Sequence, residues 1–426
     1  MEVARATLRE ILIILFSFLL FQCKAAPPDT LRLVHTIFRH GDRSPTGTYP
    51  NDPYNKDIES GKLWPKGLGQ LTTIGMNQHH MLGQYFRTRY DGFLPRIYNS
   101  KNVVIRSTDV DRTLMSAQSH LSGLYPPVGT DKWDPALDWQ PIPVHTVPVD
   151  EDHLLRRDAN CPRYRALMDK LLRSPYIQNM EKENKKLFDY LAKNSGMPFV
   201  NITNTWQLFD ILHIEELYNL TLPKWVTDDV YQRLSVFDVL DFVIMANTTE
   251  LKRLVGGGGL LVKEMLTHWM EVSNGKMDKD MKFFIYSAHD STVANLLHTL
   301  GVMNGFAPPY ASCVIMELHE VQPKQFSVQV SYKNESNHEP YELTIPGCQF
   351  SCPLDKVIEL SKPVIPLDIA KECELPTNST EPMFSEAVIY GLIASIGFLL
   401  IFLQAIIIYA IKRKRGRKYR QLNQTA

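Results

Sequence analysis

Apolar positions fall into two spacings along the chain. Leu31 to Phe38, Val103 to Ile105 and Phe283 to Tyr286 are short runs of branched and aromatic residues, which predict buried strands. Longer stretches between them repeat at helical spacing. Leu71, Ile74, Met81, Leu82, Tyr85 and Phe86 define one helix face, and Leu114 to Leu124, Tyr164 to Ala192, Val230 to Leu254 and Leu260 to Val272 predict further helices. Strands separated by helices predict an α/β domain with a mainly parallel sheet flanked by helices. Strand signals are nearly absent from 148 to 255, so a smaller, mostly helical subdomain is expected there. The runs Val314 to Leu318 and Phe326 to Tyr332 predict a hairpin at a sheet edge. Gly256 to Gly259 has no Gly-Lys-Ser/Thr after it and no strand leading directly into it, which excludes a phosphate loop and leaves a flexible linker.

The two ends carry apolar segments of different length. Arg5 and Arg9 precede the run Ile11 to Phe21, and Cys23-Lys24-Ala25-Ala26 follows, the order of a secretory signal peptide with cleavage after Ala25 or Ala26 (residues 1–25). Residues 387–411 contain no charge, enough to cross a ~30 Å hydrocarbon layer as one C-terminal transmembrane helix. Lys412-Arg413-Lys414-Arg415 follows at once, so the 412–426 tail is cytoplasmic and residues 26–386 lie outside the cytosol. The expectation is a single-pass type I membrane protein, lysosomal, endosomal or at the plasma membrane. In the tail, Tyr419-Arg420-Gln421-Leu422 resembles an endosomal and lysosomal sorting signal, readable by an adaptor. The alternative is a basic stub held at the acidic leaflet surface.

The 426 residues carry 46 basic and 46 acidic side chains, 44% hydrophobics and 10% aromatics, which excludes general disorder. The zero formal charge argues against a surface built for nucleic acid. Seven of the basic residues lie in the last 15, so the outer part is acidic on balance. Sequons at Asn201, Asn219, Asn247, Asn334 and Asn378 lie on the predicted outer side, where glycans can be added. Outside the signal, Cys161, Cys313, Cys348, Cys352 and Cys373 remain, an odd number in an oxidising compartment. Cys348 and Cys352 can close a small local ring. A zinc site is disfavoured because no second Cys or His pair lies nearby.

Candidate chemistry sits at the strand ends. Arg39-His40-Gly41-Asp42-Arg43-Ser44-Pro45 follows the first strand, Arg106-Ser107-Thr108-Asp109 ends the second, and Ser287-Ala288-His289-Asp290 ends the third. Ligands of open α/β sheets bind beyond the carboxyl ends of strands. Three gathered arginines repel one another unless a multiply charged anion lies among them, and their planar forks match phosphate oxygens. A neutral His40 beside them can attack phosphorus and hold the phosphoryl group. The surrounding positive charge disfavours its imidazolium form. Asp290 is placed to protonate the leaving alkoxide, and His289 to hydrogen-bond the equatorial oxygens.

These residues resemble the histidine acid phosphatase family, in its lysosomal and prostatic branch. The match runs from about Leu31 to Cys373. It includes Trp64-Pro65-x-Gly67-x-Gly69-Gln70-Leu71-Thr72, Arg106-Ser107-Thr108-Asp109-x-Asp111-Arg112-Thr113, Trp139-Gln140-Pro141-Ile142-Pro143-Val144-His145 and Ser287-Ala288-His289-Asp290. The resemblance implies a phosphoglycerate-mutase-like α/β domain with a smaller helical one, and hydrolysis of small-molecule or protein phosphate monoesters in acid without cofactor or metal. It makes His40 the nucleophile, Asp290 the proton donor, and Arg39, Arg43, Arg106 and His289 the phosphate ligands. It also implies a homodimer through the stretch holding Trp139 and His145, and disulfides Cys161–Cys373 and Cys348–Cys352. Leu212-His213-Ile214-Glu215 stands where the family has a cysteine, which leaves Cys313 without its partner. The rival functions are transfer to a second hydroxyl as in phosphoglycerate mutases, phytase activity, and a catalytically inactive surface receptor or adhesion module on the same scaffold.

Overall fold

A computed structural model describes residues 29–157, 159–334 and 338–375. The predicted signal peptide, the sequon at Asn378, the predicted span 387–411 and the tail with Tyr419 lie outside the described residues. Among the described residues no helix is long and apolar enough to cross a membrane.

Among the described residues seven strands form one sheet: β1 (Leu31–Arg39), β2 (Val103–Ser107), β3 (Phe283–Ala288), β4 (Cys313–Gln322), β5 (Gln325–Lys333), β6 (Tyr341–Leu343) and β7 (Cys352–Pro353). The order is β2-β3-β1-β4-β5-β6, with β7 pairing β5. β3 is parallel to β1 and β2, but β4 runs antiparallel to β1 and the remaining pairings are antiparallel too. The sheet is therefore mixed rather than mainly parallel. The hairpin of β4 and β5 is not an edge, since it joins β1 on one side and carries β6 and β7 on the other. A hairpin signal is local, whereas the strand it joins is set by long-range register. β4 is buried from Cys313 to His319, as an inner strand requires.

Helices cover both faces. Here α1 is Thr73–Arg89, α2 Asp111–Leu124, α3 Pro162–Leu172, α4 Pro175–Ser195, α5 Thr205–Leu217, α6 Asp228–Met245, α7 Thr249–Leu254, α8 Gly259–Ser273, α9 Asp290–Thr299 and α10 Leu354–Ser361. Two helices predicted as continuous are broken. Tyr164 to Ala192 divides at Ser174, which caps α4 by accepting from the Ile177 N–H ahead of Pro175. Val230 to Leu254 divides before Thr248, the cap of α7. The buried face of α1 also differs from expectation. Gly75, His79, Leu82, Gly83 and Phe86 face inward, whereas Ile74 and Met81 are exposed and Leu71 precedes the helix. Glycine explains the choice: a Cβ on Gly83 would lie 2.0 Å from the His120 carbonyl oxygen and one on Gly123 2.1 Å from that of His80. The α1–α2 contact is thus set by backbone proximity rather than apolar side chains.

From 148 to 255 the elements are helical, and α4, α5 and α6 enclose their own core of Ile177, Leu187, Phe188, Leu191, Leu208 and Leu234. Cys161 and Cys373 are joined with Cα atoms 4.6 Å apart, closing a loop of 212 residues. Such closure constrains the unfolded chain by about 5 kcal/mol. Cys348 and Cys352 are joined as well. Cys313 is a buried free thiol whose Sγ lies 3.5 Å from the Val314 carbonyl oxygen, so it packs as a small apolar group.

The run 256–259 is not a flexible linker. All four glycines are buried, and a Cβ on Gly259 would sit 1.8 Å from the Val364 carbonyl oxygen. Gly259→Ala is expected to destabilise the fold by about 2–4 kcal/mol because backbone must move. Gly47→Ala, where nothing lies within 4 Å, should be near neutral. Calorimetry of the two variants decides; equal midpoints would show that the crossing is loose.

Candidate active site

β3 lies between β1 and β2, and the ladders pair Arg39 with Ala288 and Ser107 with Ser287. This register ends the three parallel strands level and sets His40, Thr108 and His289 side by side. The loop after β1 is held by close approach: a Cβ on Gly41 would lie 2.4 Å from the Gly75 carbonyl oxygen in the first turn of α1. Gly41 therefore serves packing, beyond easing a turn. Ser44 Oγ donates to the Gly67 carbonyl at 2.8 Å, and Asp42 accepts from Thr72 Oγ1 and the Tyr218 hydroxyl, both at 2.5 Å. The Trp64 to Thr72 motif thus braces the loop, with Asp42 held by Thr72 and Tyr218.

His40 is buried and its Nδ1 lies 2.8 Å from the Gly41 carbonyl oxygen. A carbonyl only accepts, so Nδ1 carries the proton and Nε2 keeps its lone pair. Burial and then the charges of Arg112, Arg39, Arg43 and His289 hold its pKa well below 6.5, so the ring is neutral in mild acid. Arg39 donates to the Pro308 carbonyl at 2.6 Å, pairs with Asp290 Oδ2 at 3.0 Å, and lies 4.1 Å over the Tyr310 ring. Arg43 is fixed by a bidentate pair with Asp210 at 2.8 and 3.0 Å. Asp290 opens α9 and also accepts from the Ser291 N–H at 2.7 Å. Burial alone would raise its pKa, but Arg39, Arg43 and His289 hold it at about 2. His289 is buried, with its ring centroid 5.7 Å from that of His40.

Arg106 is engaged by a carboxylate. Its guanidinium pairs with the buried Asp152 at 2.9 Å and donates to the Ser107 carbonyl. Arg112, in the first turn of α2, lies instead beside His289 and is among the charges that act on His40. Its Nη2 lies 3.4 Å from His289 Nδ1, and among the described residues it makes no carboxylate pair. Burial and the neighbouring Arg43 lower its pKa to about 10, the state of a cation short of an anion. Spacing could have found it, since Arg112 lies in the first turn of a helix that begins just beyond a strand end. Arg156, 3.2 Å from His289 Nε2, lies outside every motif. So do Asp210 and Asp238. Burial and the nearby Asp290 and Asp210 push Asp238 up to about 8, so it is neutral in acid.

Residues 30–333 match the family model described as histidine phosphatase superfamily (branch 2). The chain belongs to that superfamily. Within it, the chain is 43% identical over 371 residues to human prostatic acid phosphatase, covering 85% of this chain and 93% of that one. Identity to rat lysosomal acid phosphatase is 38% over 404 residues, 93% of each. Among solved structures, Hafnia alvei phytase superposes with a TM-score of 0.59 at 18% identity, over 83% of this chain and all of that one. The last likeness concerns the fold alone.

Proposed function

We propose that this histidine phosphatase is an acid phosphatase that hydrolyses phosphate monoesters through a phosphohistidine on His40. The observation that carries it is the Nε2 lone pair of a neutral His40 set among Arg39, Arg43 and Arg112, the last making no carboxylate pair among the described residues. A phosphate dianion fits between those forks. Nε2 attacks phosphorus, the P–O bond to the leaving group breaks, and the leaving oxygen takes a proton from Asp290. Water then attacks phosphorus, the P–N bond breaks, and Asp290 recovers a proton. In the free enzyme Asp290 is a carboxylate at about 2 because Arg39 and Arg43 hold it there. A bound dianion engages those arginines, which raises the carboxyl pKa and lets it enter the reaction protonated, so turnover favours acid.

Hydrolysis of an aryl phosphate in mildly acidic buffer, with rapid-quench capture of a base-stable, acid-labile phosphoenzyme, tests the reading. An acid-stable phosphoester would reject it. Asp290→Asn is expected to slow esters with poor leaving groups by roughly 10²- to 10⁴-fold and activated aryl esters far less. A uniform loss would make Asp290 an orienting group.

The chain reads as a type I membrane protein with residues 1–25 a signal, 26–386 luminal or extracellular, 387–411 membrane-spanning and 412–426 cytoplasmic, where Tyr419 offers a sorting signal. Lysosomal relatives and the basic stop after residue 411 support that reading. Asn201, Asn219, Asn247, Asn334 and Asn378 are its glycan sites; Asn219 is exposed at a left-handed turn. Exposed Trp133 and Trp139 support a homodimer contact.

A further inference from the structure

The loop that follows β1 meets α5 at three places. Two are at the site itself: Asp210 of α5 holds Arg43, and Tyr218, the residue after α5, donates to Asp42. The third lies deeper and joins two acids. Asp52 comes from the loop and Glu215 from the last turn of α5, and the two residues are 5% and 2% exposed. Their side chains are hydrogen-bonded to each other.

Two ionised carboxylates cannot make that bond, because each only accepts. Asp52 Oδ1 takes the Tyr54 N–H at 2.8 Å, whereas Asp52 Oδ2 and both Glu215 carboxyl oxygens are buried and receive no other protein N–H or O–H among the described residues. Neither acid pairs with a lysine, arginine or histidine among those residues. The other titratable groups nearby are phenols. Tyr49 is buried in the same loop, its hydroxyl without a partner, and burial and then Glu215 and Asp52 raise its pKa. Tyr54 donates to the Thr221 carbonyl at 3.0 Å. Of the protein's own groups, only a carboxyl proton supplies the missing donor. Burial, then the charge of Asp52 and the bond to it, push Glu215 up to about 8.

We propose that Asp52 and Glu215 are a positioning pair that shares one proton and latches α5 onto the catalytic loop in acid, so that Asp210 and Tyr218 stay set against Arg43 and Asp42. Once the proton leaves, two buried like charges face each other and the latch opens. The shared proton stands without any catalysis; its consequence for turnover rests on the phosphatase reading.

An unfolded Glu215 titrates near 4.5 and the folded one near 8, so between these values the folded chain holds the extra proton. The stabilisation is complete below about 4.5 and is lost as pH rises to about 8, by roughly tenfold in the folding equilibrium per pH unit. Buried histidines such as His79, lowered to about 3, act in the opposite sense. Glu215→Gln keeps a donor toward Asp52 and removes the titration, so the difference between the two proteins isolates the pair.

Infrared difference spectra of the full chain in near-neutral buffer, with and without ¹³C-labelled glutamate, isolate the carbonyl stretch of a protonated glutamate. Wild type should show a band that Glu215→Gln lacks. As pH rises from mild acid past neutrality, the thermal midpoint of wild type should fall relative to that of the variant. One pH unit above the folded value, its kcat/KM on an aryl phosphate should be roughly tenfold lower relative to the variant than in acid, where the two match. A wild-type spectrum without protonated glutamate would overturn the proposal even if the variant does not fold. Midpoints that run parallel would do so too, as would a wild-type midpoint that EDTA lowers at constant pH, which would put a divalent cation between the acids. A kcat/KM ratio that stays flat while the midpoints diverge would leave the pair a structural role and reject it as a positioning device. Failure to capture a phosphoenzyme would strike the phosphatase reading and leave the band and the midpoints standing.

Discussion

Replacing His40 with alanine is expected to abolish turnover, by roughly 10⁴- to 10⁶-fold, because no other group can form the covalent intermediate. The fold should survive. The backbone bond from the residue 40 N–H to the Ala288 carbonyl, 2.9 Å, does not depend on the side chain. The lost ring faces a site where burial already opposes its charged form, so its removal relieves no ion pair and leaves no carboxylate stranded. Rapid-quench labelling with a radioactive monoester should give a phosphoenzyme in wild type and none in His40→Ala, with unchanged circular dichroism. Persistent label in the variant would assign the nucleophile elsewhere.

The second large effect separates two arginines six residues apart. Arg112→Ala is expected to lower kcat/KM by roughly 10²- to 10³-fold, the scale of removing one donor to the developing charge. Its midpoint should hold or rise, since the residue is half-buried beside Arg43 and makes no carboxylate pair among the described residues. Arg106→Ala should behave the other way. It leaves the carboxylate of Asp152, whose side chain is 0% exposed, without its partner, at a cost of about 3 kcal/mol or more. Correctly folded material should retain most of its turnover. Steady-state kinetics beside thermal denaturation of both variants settles the assignment, and the reverse pattern would return Arg106 to the phosphate.

Between these neighbours lies the limit of sequence reading. Arg106 ends a strand and Arg112 starts a helix, and the pattern of apolar residues shows both elements. Which guanidinium is held by a carboxylate depends on where Asp152 lies, and Asp152 arrives from a segment with no local signal. The α1 face is a similar case: Ile74 and Met81 satisfy helical spacing, but Gly83 and Gly123 let two backbones touch and so rotate the helix toward His79 and Phe86.

What the sequence determined by itself was the chemistry carried by contiguous residues: the strand ends, the Arg-His and His-Asp pairs that follow them, and the division into strand-bearing and helical stretches. Those depend on side-chain identity and short spacing, which local sterics and periodicity convert directly into structure. Tertiary structure alone decided that β4 enters antiparallel beside β1 and that Asp152 engages Arg106 while Arg112 lies beside His289. It also decided that Asp210 clamps Arg43, and that a glycine run is a packed crossing. Each of these is a contact between segments tens to hundreds of residues apart. Such contacts follow from which surfaces exclude each other and which buried charges find partners, and a local pattern does not encode that.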